Sequence, residues 1–180
     1  MVKQVMKCKN CKAEFTPVRF NQKFCFDSFC VKVWVELEKE KQWKKKKKVL
    51  KDELQTVQEL TKLAQVVFNK YIRLRDKDKL CVSCGSKLGS KFDAGHYFSS
   101  GGHKAVTFDE DNVHGQCVTC NQHKHGNLLN YQIGIQQRIG ADRLIELHSR
   151  AHDVKKWTKD ELNEIIKRYK TKINERTNAI

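Results

Sequence analysis

The sequence predicts an α+β fold: short strands and flanking helices held by cysteine clusters rather than by one large apolar core. Three observations predict it. Cys81 and Cys84 form one Cys-x2-Cys pair and Cys117 and Cys120 a second, on either side of a glycine-punctuated centre. A further set, Cys8, Cys11, Cys25 and Cys30, falls within residues 1–33. Long stretches free of Gly and Pro, rich in Lys, Glu, Gln and Leu, come after that set and read as helix. Two residues between cysteines let both sulfurs turn back onto one ion, so each set reads as a tetrahedral zinc site.

Residues 1–33 are expected to be an N-terminal four-cysteine zinc-binding element of pattern Cys-x2-Cys-x13-Cys-x4-Cys, with Phe15, Phe20, Phe24, Phe26 and Phe29 between or beside the cysteines. A piece this small buries too little surface to fold alone, so metal binding supplies much of its folding energy. The competing reading is a reduced, partly ordered tail with buried thiols. Residues 34–77 come next as a basic helical linker, one long helix or two. Lys44, Lys45, Lys46, Lys47 and Lys48 point in nearly all directions on a helix and form a charged sleeve, either in contact with phosphates or simply solvated. Further on, Val57, Leu60, Leu63, Ala64, Val67, Phe68 and Tyr71 recur at three-and-four spacing and should pack on the domain C-terminal to them.

Residues 78–140 form the expected core, carrying the second four-cysteine site. Gly85, Gly89, Gly95, Gly101 and Gly102 break it into turns and short strands, with 91–98 and 104–109 as the two arms of a hairpin. After Cys120 the chain reads as helix up to Gly140, weakened by Gly126 and Gly134. Residues 141–180 are a C-terminal helical extension. Thr158 and Glu161 make a capping box there, and Leu162, Ile165, Ile166, Tyr169 and Ile173 an apolar face that must dock on this chain or on a second copy.

Composition narrows the partner. The chain has 180 residues and a formal charge of +15, from 36 basic and 21 acidic residues. Such an excess calls for a polyanion, nucleic acid first and an anionic membrane surface second. No apolar run approaches the roughly 18 residues of a spanning helix, so a membrane protein is not expected. The start, MVKQVMKCKNCK, has no apolar core and predicts no signal peptide. Eight cysteines grouped in this way read better as metal ligands than as disulfides.

A catalytic constellation lies between the two cysteine pairs of the core. Phosphodiester cleavage needs an activated water, charge compensation at phosphorus, and help for the departing oxygen. His96 is the candidate base, because a neutral imidazole is available near pH 7 without a large shift; a structural histidine is the alternative. Magnesium prefers oxygen ligands, and Asp93 and Asn121 supply them. Asn121 stands directly after a zinc ligand, with helix capping as its competing role. On a regular strand Asp93 and His96 face opposite sides, so a shared site requires a bend or bulge at Ala94-Gly95. Asn112 either clamps the loop by bonding backbone groups or is an ordinary turn residue. His114, His123 and His125 add imidazoles nearby, and Lys124 and Arg138 are candidate phosphate contacts.

The stretch CVSCG…FDAGHYFSSGGH…DNVHGQCVTCNQHKHGN resembles the HNH, or ββα-metal, nucleases, and most of all the phage NinG/Rap recombination endonucleases. The layout of the flanking segments is similar too, so the resemblance covers essentially the whole chain. It implies an HNH-like core, with His96 as base, Asn112 as the asparagine that braces the loop, and Asn121 as the ligand after the last zinc cysteine. Many HNH enzymes, junction resolvases of the endonuclease VII type among them, carry an aspartate immediately before the base. Gly95 stands there in this sequence, which leaves Asp93 as the expected carboxylate.

The expected function is therefore a metal-dependent endonuclease with two structural Zn2+ ions and a catalytic Mg2+, with Mn2+ as a substitute. The resemblance supplies the substrate, branched double-stranded DNA such as Holliday junctions and displacement loops in phage recombination. It also supplies the setting, the cytoplasm of the bacterial host, where other recombination proteins of host or phage would be partners. The near two-fold symmetry of a four-way junction suits a homodimer, with the last helix as a candidate interface. The rivals are a non-catalytic zinc module that binds nucleic acid, and an adaptor whose 158–176 apolar face stays exposed.

Overall fold

The computed structural model describes residues 5–178. The first four residues, part of the start read as lacking a signal peptide, and the last two of the C-terminal extension lie outside the described residues. The chain divides into two compact units, residues 1–55 and 56–180. The expected linker over 34–77 is split between them: its first helix belongs to the first unit and its second to the other.

In the first unit β1 (Met6–Lys7) pairs antiparallel with β2 (Glu14–Phe15), and Cys8 and Cys11 lie in the turn between them. α1 (Ser28–Leu54) begins after the third cysteine. Asp27 Oδ1 accepts from the amides of Phe29 at 2.9 Å and Cys30 at 3.3 Å, capping the helix start. The four-residue gap between Cys25 and Cys30 is the length needed to hold this cap. Lys44 to Lys48 are all exposed along α1.

The second unit starts with α2 (Val57–Asp76), capped by a reciprocal Thr56–Glu59 box. A two-stranded sheet comes next: β3 (Asp93–His96) antiparallel to β4 (Val113–Gln116), with Asp93 opposite Gln116 and His96 opposite Val113. The second arm of the hairpin is thus 113–116, not 104–109. Residues Lys104–Val106 form a single 3-10 turn inside the connection, where Asn112 can reach them. The expected helix after Cys120 is also interrupted. Thr119–His123 is one π-helical turn, then comes a left-handed bend at His125, Gly126 and Asn127, and α3 (Leu128–Ile139) starts only after it. α4 (Ala141–Ala151) and α5 (Lys159–Asn178) complete the unit, and the Thr158–Glu161 capping box is present.

Two apolar cores hold this unit. α2 packs along α5, burying Leu60, Phe68 and Ile72 with Leu162, Ile166 and Tyr169, and Phe108 and Val113 close the end. The apolar face of the last helix is therefore covered within the chain, against the adaptor reading and against that face as a dimer interface. The second core joins Val82, Val106, Tyr131, Ile135, Leu144 and Leu147. Gly134 explains itself here: a Cβ at that position would lie 1.7 Å from the Val82 carbonyl oxygen, so α3 can approach the cysteine turn only without one. No helix among the described residues is long and apolar enough to cross a membrane.

Candidate active site and metal centres

The eight cysteines fall into two groups, Cys8/Cys11/Cys25/Cys30 and Cys81/Cys84/Cys117/Cys120, and within each all four sulfurs lie within 4.8 Å of one another. Four thiolates at about 2.3 Å from a shared tetrahedral ion are about 3.8 Å apart. Cys11 and Cys25 Sγ are separated by 3.7 Å, and Cys84 and Cys117 Sγ by 3.8 Å. None of the eight is in a disulfide. Backbone amides of Cys25, Cys117 and Cys120 point at sulfurs of their own group at 3.4 Å, the stabilisation a metal-bound thiolate draws on. Both groups could hold zinc. Each has one pair on a tight turn and the other at a helical start, so a bound ion ties a turn to a helix.

Beside the second group lies an open cleft of about 720 Å³. His96, at the end of β3, and Asn121, on the π-helical turn directly after Cys120, both line it, as do His103, His125 and, from α2, Gln65 and Asn69. The His96 ring is fixed by its Nε2, 3.2 Å from the Thr107 carbonyl oxygen. A carbonyl only accepts, so the Thr107 contact favours the neutral tautomer with the proton on Nε2 and the lone pair on Nδ1. Burial lowers the pKa of His96 below the ordinary imidazole value, and the backbone contacts with Thr107 and Ala94 oppose that only in part.

Asn112 is fully buried and bonds the connection from inside. Its Oδ1 accepts from Phe98 N at 2.8 Å, and its Nδ2 donates to the carbonyls of Phe98 at 3.0 Å and Val106 at 2.9 Å. Val106 directly precedes Thr107, so the clamp acts on the backbone that orients the imidazole. The amide geometry is that of a clamp, not of an ordinary turn residue.

Asp93 lies on the other side of the strand. The pairing of 93–96 is regular, without the bulge that would bring Asp93 round to His96, and Asp93 does not line the cleft. Its Oδ2 accepts from Asn121 Nδ2 at 2.9 Å and Gln122 Nε2 at 2.8 Å. Asp93 and Asn121 are thus in direct contact, while His96 and Asn121 share the lining of the cleft.

A family model described as "Bacteriophage Lambda NinG protein" matches residues 2–178. The chain belongs to the NinG family. Among curated relatives named "Protein ninG", that of Escherichia phage 933W is 35% identical over 190 residues, 96% of this chain and 94% of the relative. That of Escherichia phage lambda is 34% identical over 192 residues, with the same coverage. The one from Salmonella phage P22 is 35% identical over 188 residues, 94% of this chain and 92% of the relative. No solved structure matches.

Several residues of this NinG family member have roles that sequence reasoning missed. A Cβ at Gly95, just before His96, would lie 2.2 Å from Gln116 Oε1. Gln116, fully buried, therefore fills the space where a residue 95 side chain would go, and its Nε2 donates to Ser83 Oγ and to the Gly126 carbonyl, both at 2.6 Å. Asp76 is fully buried at the end of α2. Arg75 Nε and Nη2 grip its two oxygens at 2.8 Å, Gly115 N donates at 2.8 Å, and Lys79 pairs at 3.0 Å. Burial alone would raise its pKa, but the Arg75 fork and the Gly115 amide outweigh it and hold the carboxyl well below the usual range. Neither residue obeys a periodic signal.

Two other expectations change. Arg138, expected as a phosphate contact, donates to the Leu80 carbonyl and sits 3.6 Å from Asp76, so within the chain it joins α3 to the cysteine turn. His114 is buried against Tyr131, with Nδ1 3.4 Å from the phenol oxygen, and burial together with Arg75 and Arg138 pushes its pKa down to about 3. It is a neutral core residue. His123 and His125 separate as expected, His123 exposed on the π-helical turn and His125 turned into the cleft wall by the left-handed bend. Lys124 is exposed beside them.

Proposed function

We propose that this chain is a metal-dependent DNA endonuclease with an HNH, or ββα-metal, core, acting on branched DNA such as Holliday junctions and displacement loops in phage recombination. One observation carries the reading: His96, oriented and neutral, and Asn121 line one open cleft directly beside a four-cysteine site. His96 would take a proton from the attacking water on Nδ1, with Nε2–H held by the Thr107 carbonyl so that the ring cannot turn. Asn112 keeps that carbonyl in place through Val106. Asn121 and Asp93 are a hard oxygen-donor set that suits magnesium or manganese, since Oδ1 of Asp93 carries no hydrogen bond among the described residues. When bound there, the ion supplies charge compensation at the phosphate and the leaving oxygen.

The charge of +15 supports phosphate-directed binding, in which a junction is recognised by its shape rather than by base reading. A homodimer would set two such clefts on opposed strands in the cytoplasm of a bacterial host. One observation favours the non-catalytic nucleic-acid binder: Asp93, although bonded to Asn121, does not line the cleft that His96 lines. The two readings separate on a labelled four-way junction and its matched linear duplex, each incubated with and without magnesium. Magnesium-dependent cutting of the junction alone supports the endonuclease; binding without cutting in magnesium or manganese refutes it.

A further inference from the structure

We propose that the first unit, residues 1–55, is a binding site for unpaired, single-stranded nucleic acid, with bases stacked in an aromatic cleft beside the first cysteine group. A cavity of about 560 Å³ opens there, lined on one side by the 19–26 loop and on the other by the start of α1. Phe20 is 97% exposed and Trp34 44%, and Phe26, between them in sequence, is also exposed. Such rings on a soluble surface cost solubility unless something covers them.

Phe20 is displayed rather than merely left out. It stands at the tip of a turn closed by Gln22 N donating to the Arg19 carbonyl at 3.2 Å, with Asn21 in the left-handed region at φ 60°. The Gln22 side chain pins both flanks of that turn, accepting from Val18 N at 3.0 Å and donating to the Phe24 carbonyl at 2.8 Å. The backbone is fixed while the ring is free, as a stacking platform requires. Cys25, a member of the sulfur group, also lines the cleft, so a bound zinc would anchor its floor.

Charge selects the occupant. The single carboxylate on the cleft wall, Glu38, is paired with Lys41 at 2.5 Å. Lys9, Arg19 and Lys23 line the same cleft, are exposed, and pair with no carboxylate among the described residues. Apolar rings interleaved with free cations suit a chain of bases and phosphates, and every base offers a face to stack regardless of its identity. A duplex keeps its base faces stacked on one another and can offer this cleft only phosphates, so the aromatic contacts select unpaired strands.

The test is fluorescence anisotropy of labelled oligo-dT and a matched-length duplex, with the full zinc-loaded chain in magnesium-free buffer. Phe20→Ala and Phe26→Ala should each weaken oligo-dT binding roughly 5- to 100-fold and duplex binding less than about twofold. Phe20→Leu keeps apolar bulk without an aromatic face, and it should lose as much as alanine. Zinc content and far-ultraviolet dichroism establish that each variant is folded. Phe20 is so exposed that its loss should leave both unchanged. Equal losses on the two nucleic acids, no loss on oligo-dT, or full retention by Phe20→Leu each overturn the proposal. The measurement requires no cleavage, so its failure leaves the endonuclease reading of His96 standing, and the reverse also holds.

Discussion

Replacing Asn112 tests the link between the buried clamp and the cleft. Its side chain makes three hydrogen bonds, one from Phe98 N and two to the carbonyls of Phe98 and Val106, with no exposure to water. At roughly 1 kcal/mol net for each bond, and more where a partner is left buried and unsatisfied, Asn112→Ala should cost about 3–4 kcal/mol. For a unit of this size that lowers the melting temperature by about 10–15 °C. Asn112→Asp should be worse than alanine although it is closer in shape, because a buried carboxylate would replace two donors with acceptors facing two carbonyls. Thermal unfolding monitored by circular dichroism gives the ranking wild type, alanine, aspartate. If aspartate is as stable as the wild type, Asn112 fills space and does not clamp.

The same geometry sets further outcomes. Asp76→Asn takes the counter-charge from the half-buried Arg138 and leaves Arg75 only Glu110, 3.9 Å away, and should cost about 3 kcal/mol or more in denaturant unfolding; a cost under about 1 kcal/mol would contradict the network. Cys84→Ser should remove one of two zinc ions by metal analysis and destabilise residues 56–180, whereas Cys11→Ser should remove the other and spare them; retention of both ions by either variant is the contrary result. Because burial lowers the pKa of His96 and the base acts unprotonated, cleavage should hold as pH falls from 8 through about 6.5, and decline only below that. An acid limb centred at or above about 6.5 would contradict the lowered value.

Sequence patterning made the α+β class, both cysteine groups and the apolar faces of α2 and α5 legible, because each rests on spacing along one segment. Cys-x2-Cys fixes which sulfurs can meet, and Thr158 with Glu161 marks a helix start whatever lies around it. What was not legible depends on residues distant in sequence. The strand partner of 93–96 is 113–116 because Asn112 and the 3-10 turn fold the intervening loop back on itself, and 104–109, although apolar enough for a strand, is drawn into that turn. The π-helical turn and left-handed bend after Cys120 replace a helix that periodicity alone extends, as the Gly126 carbonyl is held by Gln116 from the neighbouring strand. For Asp93 the alternation of side chains along a strand already poses the question, and the regular pairing places it with Asn121 rather than with His96.

The central claim is that one imidazole in the cleft activates water, and single-turnover cleavage of a four-way junction by wild type and His96→Ala tests it most directly. A loss of roughly two to four orders of magnitude, with junction binding and zinc content unchanged, is the predicted result. Cleavage by His96→Ala at the wild-type rate would contradict it.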